Sequence, residues 1–398
     1  MPSKEMPLSG VRVLDLTRYE AGPTCTLMLA FLGAEVIKIE SPGEGKSHRR
    51  MFHDRGDRDD LYFVLLNLNK KSVTLELKSE NGRSLFERML QHADVLVESL
   101  GGEKLSELNL SYDRLRQCNP GIVIATVSGY GSYGACAGYP SLDMTAQAMG
   151  GIMSLTGREG KEPLRCGATV ADSAGGTNLA IGVLSALYRK VKTGKGAHVE
   201  VSLQDSAINL GRSLLGTHIA YGSKAPRVGN SLKDVVPWDI YPSRDGYVAI
   251  CVIPQRRFER LMGVVGGETA LEEKSLNTIE DRVRERKFLD ALITRWTTER
   301  GKFEIMERLA KEGVPCGAVL DSDEIALNSH VRERSMLVEI EHPQWGRVQV
   351  MGCPVKFLDE EAGIACSPDF GEHTREILGG LLGLSDEDMD ELRRQGVI

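Results

Sequence analysis

The chain is poorest in the features that would assign it to a membrane, a metal or a nucleic acid. No stretch approaches the ~18 consecutive apolar residues of a bilayer span, and Met1-Pro-Ser-Lys-Glu5 lacks the apolar core of a secretion signal. A cytoplasmic protein is therefore expected. The eight cysteines never form a Cys-x-x-Cys pair and never stand at a metal-ligating spacing from histidine, so zinc sites and disulfides are not expected. No excess of Lys and Arg is present either: the net charge is −7, with basic residues dispersed among acids, which argues against nucleic acid and for a small-molecule partner. Low-complexity tracts and repeats of fixed period are absent.

What is present is ordinary globular material, 398 residues with 41% hydrophobic and 26% charged side chains, enough for two or three domains. Strand and helix patterns alternate from the start. Val11 to Leu16 reads as a strand, a helix begins at Ala21-Gly-Pro23 and stops at Gly33, and Glu35 to Ile39 is a second strand. The unit recurs as a strand at Ser72–Leu77, a helix from Asn81 to about His92, and a strand at Asp94–Val97. A helix at Tyr112–Cys118 precedes a strand at Ile122–Val127, and Ala197–Leu203 is a further strand. Such alternation predicts a doubly wound parallel sheet of the Rossmann-like α/β class. The turn Glu20-Ala-Gly-Pro-Thr-Cys25 is not G-x-G-x-x-G, which argues against a dinucleotide site.

Beyond about Lys224 the chain is rich in Gly, Pro and Asn, the expected exit from the first domain. A strand at Tyr247–Val252 and charge-laced helices to about Glu312 predict a smaller α+β domain. Strands return at Val338–Ile340 and Gly346–Val350, followed by helices at Glu372–Leu382 and after Ser385, whose hydroxyl and following acids suit a helix start.

Among the titratable residues Asp172 stands apart, at the opening of the apolar, glycine-broken stretch Gly167 to Arg189. An aspartate there either caps the helix or does chemistry. Its small neighbours Ala168, Ala171, Ser173, Ala174, Gly175 and Gly176 leave room for a ligand, which a cap does not need. His198 and His373 are expected to make structural hydrogen bonds, and Trp238 and Tyr241 either line an acyl pocket or join a core.

The order and spacing of several segments resemble the class III coenzyme A transferases, the CaiB/BaiF-type family that includes formyl-CoA transferase. These segments are Leu8–Thr17, Ala21-Gly-Pro23, Leu32–Glu40, Asn69–Lys78, Ala93–Glu98, Asn119-Pro120, Ser128–Gly131, Asp172 with its helix, Thr193–Gly196, Gly313–Gly317 and Gly371–Thr374. The resemblance implies ring-shaped subunits interlocked in a dimer. The large domain would comprise residues 1–204 and 346–398, the small domain 236–320, and the linkers 205–235 and 321–345.

The resemblance also implies the chemistry. Coenzyme A would move from an acyl-CoA, possibly succinyl-CoA, to a carboxylic acid through covalent intermediates on Asp172, with coenzyme A thioester as substrate and no tightly bound cofactor. The helix N-terminus is expected to keep the Asp172 carboxylate ionised. Coenzyme A contacts carry over to Glu20, Ala21, Lys38, Leu75, Lys78 and Ser99, with Arg49, Arg50 and Lys104 as substitutes for an arginine that relatives have after Ser99. Arg49 lies in the arginine-rich stretch 47–55, which would suit a dicarboxylate. Gly150 and the Gly229-Asn230 turn are candidate oxyanion donors, and Trp238 is a candidate pocket wall.

Two departures stand out: Glu20 replaces a glutamine of formyl-CoA transferase, and that enzyme's glycine-rich lid has no counterpart. Two alternatives accompany this reading. An α-methylacyl-CoA racemase would need a histidine directly before Asp143, where this chain has Leu142. An inactive or regulatory subunit of a heteromeric transferase would need a second, related chain.

Overall fold

The computed structural model describes residues 6–50, 58–274, 276–360 and 363–398. Contacts divide the chain into two compact units. The first comprises Met1–Met153, Arg165–Gly222 and Ser329–Ile398; the second comprises Ser154–Leu164 and Ser223–Asn328. Among the described residues no helix is long and apolar enough to cross a membrane.

The first unit is built on six strands, β1 (Arg12–Leu16), β2 (Glu35–Glu40), β3 (Lys70–Thr74), β4 (Val95–Glu98), β5 (Val123–Ser128) and β6 (Ala197–Ser202). They pair in parallel in the order β3-β2-β1-β4-β5-β6, so the winding reverses between β1 and β4. Alternate side chains serve opposite faces: Val13, Val36, Val95 and Val123 pack in one core, while Leu14, Ile37, Leu96 and Ile124 pack in another. Both faces being buried, four strands carry adjacent apolar residues that serve the two sides, as in Val13-Leu14, Val36-Ile37, Val95-Leu96 and Val123-Ile124.

The first core is closed by the helices Ala21–Phe31 and Val170–Thr193, the second by Glu80–Gln91, Thr374–Leu382 and Asp386–Arg394. Ser79 and Ser385 cap two of these by accepting the N–H groups of Gly82 and Asp388. The segment after β6 forms the helices Leu203–Leu210 and Arg212–Tyr221.

β3 starts at Lys70, two residues before the expected Ser72, with Lys70 and Lys71 paired to Val36 and Ile37 of β2. Pro23 is the third helical residue, not the first; Ala21 leads. A hairpin of β10 (Leu337–His342) and β11 (Gly346–Met351) completes the unit, with Val350 buried beside Phe31, Val64 and Leu68. The second unit holds an antiparallel sheet of β7 (Trp238–Ser243), β8 (Gly246–Cys251) and β9 (Cys316–Ala318), with helices that bury Phe258, Leu261 and Ile293 against it. The strand β7 was not expected from its Gly- and Pro-rich approach.

Candidate active site

A cavity of about 360 Å³ opens at the carboxyl ends of β1, β2 and β3. Ligands of doubly wound sheets bind beyond the carboxyl ends of the strands, where side chains on the connecting turns converge. Its walls include Leu75 and Leu77 as apolar surface and Arg18, Lys38, Lys78 and Lys104 as cations. Lys38 is buried and donates to the carbonyl of Thr17 at 2.9 Å. Lys78 and Lys104 are exposed, paired with Glu44 at 3.1 Å and Glu107 at 2.6 Å. Exposed pairs of this kind exchange readily for an anionic ligand.

Of the expected coenzyme A contacts, Lys38, Leu75, Lys78 and Lys104 line this cavity, and Glu20, Ala21 and Ser99 do not. Ser99 instead accepts the backbone N–H of Arg18, a lining residue that the sequence had not singled out. Ala21 is buried at the first turn of its helix. Tyr19, with φ 62°, makes the left-handed turn that carries β1 into that helix.

The helix Ala21–Phe31 packs against the helix Val170–Thr193, and glycine makes the approach possible. A Cβ on Gly176 would lie 2.4 Å from the Ala21 carbonyl oxygen, and one on Gly175 would lie 2.7 Å from Leu203 Cδ2. These two glycines therefore serve packing, which corrects the expectation that they clear a path for a ligand. The open side is formed by Gly167, Ala168 and Ser173, which are exposed.

Asp172 is the third residue of its helix, whose N-cap is Thr169. It is not a cap. The capping is done from a distance: Asp143 Oδ1 accepts the N–H groups of Ala171 at 2.9 Å and Asp172 at 3.2 Å. Gln147 holds Asp143 by donating to Oδ2 at 2.7 Å, and its amide oxygen accepts the N–H of Cys166 at 2.9 Å. The buried Asp143 and Gln147 thus fix the first turn of the helix and the loop that leads into it.

Glu20 completes the cluster. It is buried, accepts the Tyr62 hydroxyl at 2.5 Å on Oε2, and on Oε1 accepts Thr169 Oγ1 at 2.5 Å and Ser173 Oγ at 2.9 Å. Tyr62 also lines the cavity, so one hydroxyl joins the cavity wall to the carboxylate cluster. Its phenol is raised by burial and by Glu20. Among the described residues Glu20, Asp143 and Asp172 form no ion pair, and no histidine hydrogen-bonds to them.

The electrostatic outcome differs from the expected one. Burial, Glu20 and Asp143 push the Asp172 carboxyl up to about 7. The helix N-terminus favours the anion, yet the two neighbouring acids and partial burial outweigh it.

Three further expectations are corrected. Arg49 is fully buried and all its N–H groups are engaged: Nε and Nη2 with Glu40, Nη1 with Asp59 and the Pro368 carbonyl, and Nη2 with Ser72. It braces the cavity floor and offers no donor to a substrate carboxylate. The N–H of Gly150 donates to Ala146 O at 2.7 Å at a helix end, and its missing Cβ admits Ala207. The N–H of Gly229, in the second unit, donates to Gly157 O at 2.9 Å. Neither N–H is free for an oxyanion. Asn230 lies in the same turn, and Trp238 opens β7 opposite Cys251. Tyr241 joins the core of the second unit, its hydroxyl on Asp290 at 2.9 Å.

The sequence of the chain matches the family described as CoA-transferase family III over residues 8–374. A formyl-CoA:oxalate CoA-transferase of Streptomyces coelicolor is 35% identical over 98% of this chain and 99% of its own length. One of Rhodopseudomonas palustris is 36% identical over 98% and 96%. A CaiB/BaiF family protein from Brucella suis superposes with a TM-score of 0.84 at 31% identity, covering 95% of this chain and 100% of its own. A Mycobacterium tuberculosis protein superposes at 0.81 with 26% identity over 94% and 99%. The chain belongs to CoA-transferase family III and is a class III CoA-transferase.

Proposed function

We propose that the enzyme moves coenzyme A from an acyl-CoA donor to a carboxylic acid through covalent intermediates on Asp172. The observation that carries this reading is the Asp172 carboxyl, without a cation among the described residues, on the first turn of a helix whose Thr169 and Ser173 hydroxyls bind Glu20, which the Tyr62 hydroxyl links to a cavity with basic walls. An Asp172 oxygen attacks the thioester carbon, the C–S bond breaks, and a mixed anhydride and coenzyme A thiolate result. The thiolate attacks the Asp172 carbonyl, expelling the donor acid and leaving an aspartyl-CoA thioester. The acceptor carboxylate then displaces the thiolate to form a second anhydride, and the thiolate attacks its acyl carbon, releasing the new acyl-CoA and free Asp172. Each hard acyl transfer is thereby split into easier ones. Succinyl-CoA is one donor the resemblance suggests, and oxalate is the acceptor in the names of the curated relatives.

Coenzyme A would lie with its adenine end toward Leu75 and Lys78 and its phosphates toward Lys38, Lys104 and Arg18, whose side chains surround one cavity. Glu20 and Asp143 would hold the nucleophile's turn while the thioester end reaches Asp172 past Tyr62. Incubation with an acyl-CoA followed by hydroxylamine or borohydride is expected to modify Asp172, read by peptide mass spectrometry. Full activity in Asp172→Ala would end this reading.

We propose also that two copies form the interlocked dimer implied by the resemblance, with 205–235 and 321–345 connecting the domains. Exposed apolar side chains on two helices of the first unit favour a partner: Ile181 and Val191 on one, Ile219 and Tyr221 on the other. Light scattering should give the mass of two chains. A monomer active only after addition of a second, related chain would favour the heteromeric alternative.

A further inference from the structure

We propose that Glu20 sets the acyl specificity: the acid activated at Asp172 is a monocarboxylate, and an acyl group bearing a second carboxylate is rejected. This rests on Asp172 being the nucleophile, and it sets this chain apart from its relatives: succinyl-CoA as donor and oxalate as acceptor, both carrying a second carboxylate, would be poor substrates. Glu20 stands where formyl-CoA transferase has a glutamine, so the charge at this position is a difference from that enzyme.

The geometry fixes that charge over the reacting group. Thr169 is the N-cap of the Asp172 helix and Ser173 follows Asp172 directly, and both donate to Glu20 Oε1, while Tyr62 donates to Oε2. With both oxygens engaged and the residue buried, the carboxylate cannot swing away. All three donors are neutral hydroxyls. The Asp143 carboxylate stands on the other side, against the N–H groups of Ala171 and Asp172. Within the stretch 47–55 expected to suit a dicarboxylate, Arg49 is enclosed by Glu40 and Asp59, and residues 51–55 lie outside the described residues. Among the described residues no cation pairs with Glu20, Asp143 or Asp172, so a dicarboxylate meets two fixed acids without a compensating charge. Like charges brought together in a partly desolvated site weaken binding by roughly ten- to a hundredfold. A monocarboxylate carries its only charge on the group that becomes the anhydride, and it loses that charge on bonding.

The test compares straight-chain acids of equal length, butyrate with succinate and propionate with malonate, as acceptors for coenzyme A. The wild-type enzyme should favour the monocarboxylate of each pair in kcat/KM by roughly tenfold or more. In Glu20→Gln the dicarboxylate-to-monocarboxylate ratio should rise about tenfold, mainly through KM, whatever happens to absolute rates. Tyr62→Phe removes a donor but keeps the Glu20 charge, so the ratio should not move. Equal or better use of dicarboxylates by the wild type, or an unmoved ratio in Glu20→Gln, overturns the proposal. The two readings fail separately: activity that survives Asp172→Ala removes the nucleophile, whereas Asp172-dependent transfer without preference removes only the specificity.

Discussion

Two aspartates of the first unit, Asp15 buried and Asp172 half-buried, stand in opposite surroundings. Asp15, in the middle of β1, is fully buried but meets Lys70 at 3.2 Å and Lys38 at 4.0 Å and accepts hydroxyls from Thr17 and Thr26. Burial alone would raise its carboxyl, but the two lysines and two hydroxyls hold it well below the usual range. Asp172 has Glu20 and Asp143 beside it in place of lysines, and is pushed up to about 7. The same residue type becomes a structural tie where its charge is matched and, in the reaction proposed above, a nucleophile where like charges surround it. Lys70 shows the reverse side of the matched cluster: burial lowers its ammonium to about 8 despite Asp15, and it also donates to Pro23 O, Thr26 and Asn67. It ties the start of the Ala21 helix, next to Glu20, to Asn67 at the end of the helix that carries Tyr62.

The contrast can be broken from either side. Asp172→Asn should cost at least about 10³-fold in coenzyme A transfer while leaving the fold intact, as judged by circular dichroism. Lys70→Met should instead destabilise the protein by about 3–5 kcal/mol in urea denaturation, because it leaves the Asp15 charge buried beside one distant lysine. A Lys70→Met variant as stable as wild type would mean that the Asp15 cluster is not a tie.

A pH profile sharpens the comparison. With Asp172 titrating at about 7 in the free enzyme, log kcat/KM should rise with pH and level off above that value. Glu20→Gln removes one of the charges that raise Asp172, so its acidic limb should move to lower pH. Stability follows the opposite course. An acid held above its unfolded value of 3.8 binds its proton more tightly when folded, so its contribution to stability falls as pH rises from about 4 to about 7. Asp172→Asn should therefore melt roughly 2–5 °C above wild type at pH 8, with the gap closing below pH 5. Asp15, held low, contributes stability above about pH 4 that is lost in stronger acid.

Asp143→Ala carries the smallest expected effect, about 1 kcal/mol, by leaving the N–H groups of Ala171 and Asp172 without their acceptor. Asp143→Asn keeps an acceptor oxygen and should recover part of that loss.

The parallel sheet was legible in the sequence because Val11–Leu16, Glu35–Ile39 and Ile122–Val127, set between helical patterns, each hold adjacent apolar residues that serve both faces of the sheet. β7 was not, since Trp238-Asp-Ile-Tyr-Pro-Ser243 mixes polar and apolar residues behind a turn-rich stretch. Asp172 was visible through its isolation and its place in the family's order of segments. Its supports were hidden by distance along the chain: Asp143 precedes its N–H partners by 28 and 29 residues, and Lys70 follows Asp15 by 55. Local pattern carries no record of such pairings. Arg49 misled for the same reason, since the acids that enclose it, Glu40 and Asp59, are brought to it only by the fold.

The most direct test of a covalent role for Asp172 follows oxygen. An acceptor acid labelled with ¹⁸O in its carboxylate should yield acyl-CoA that keeps one labelled oxygen and should leave the other on the Asp172 carboxyl, seen by mass spectrometry of the peptide that contains it. Labelled acyl-CoA forming over many turnovers with no ¹⁸O in that peptide would contradict the account.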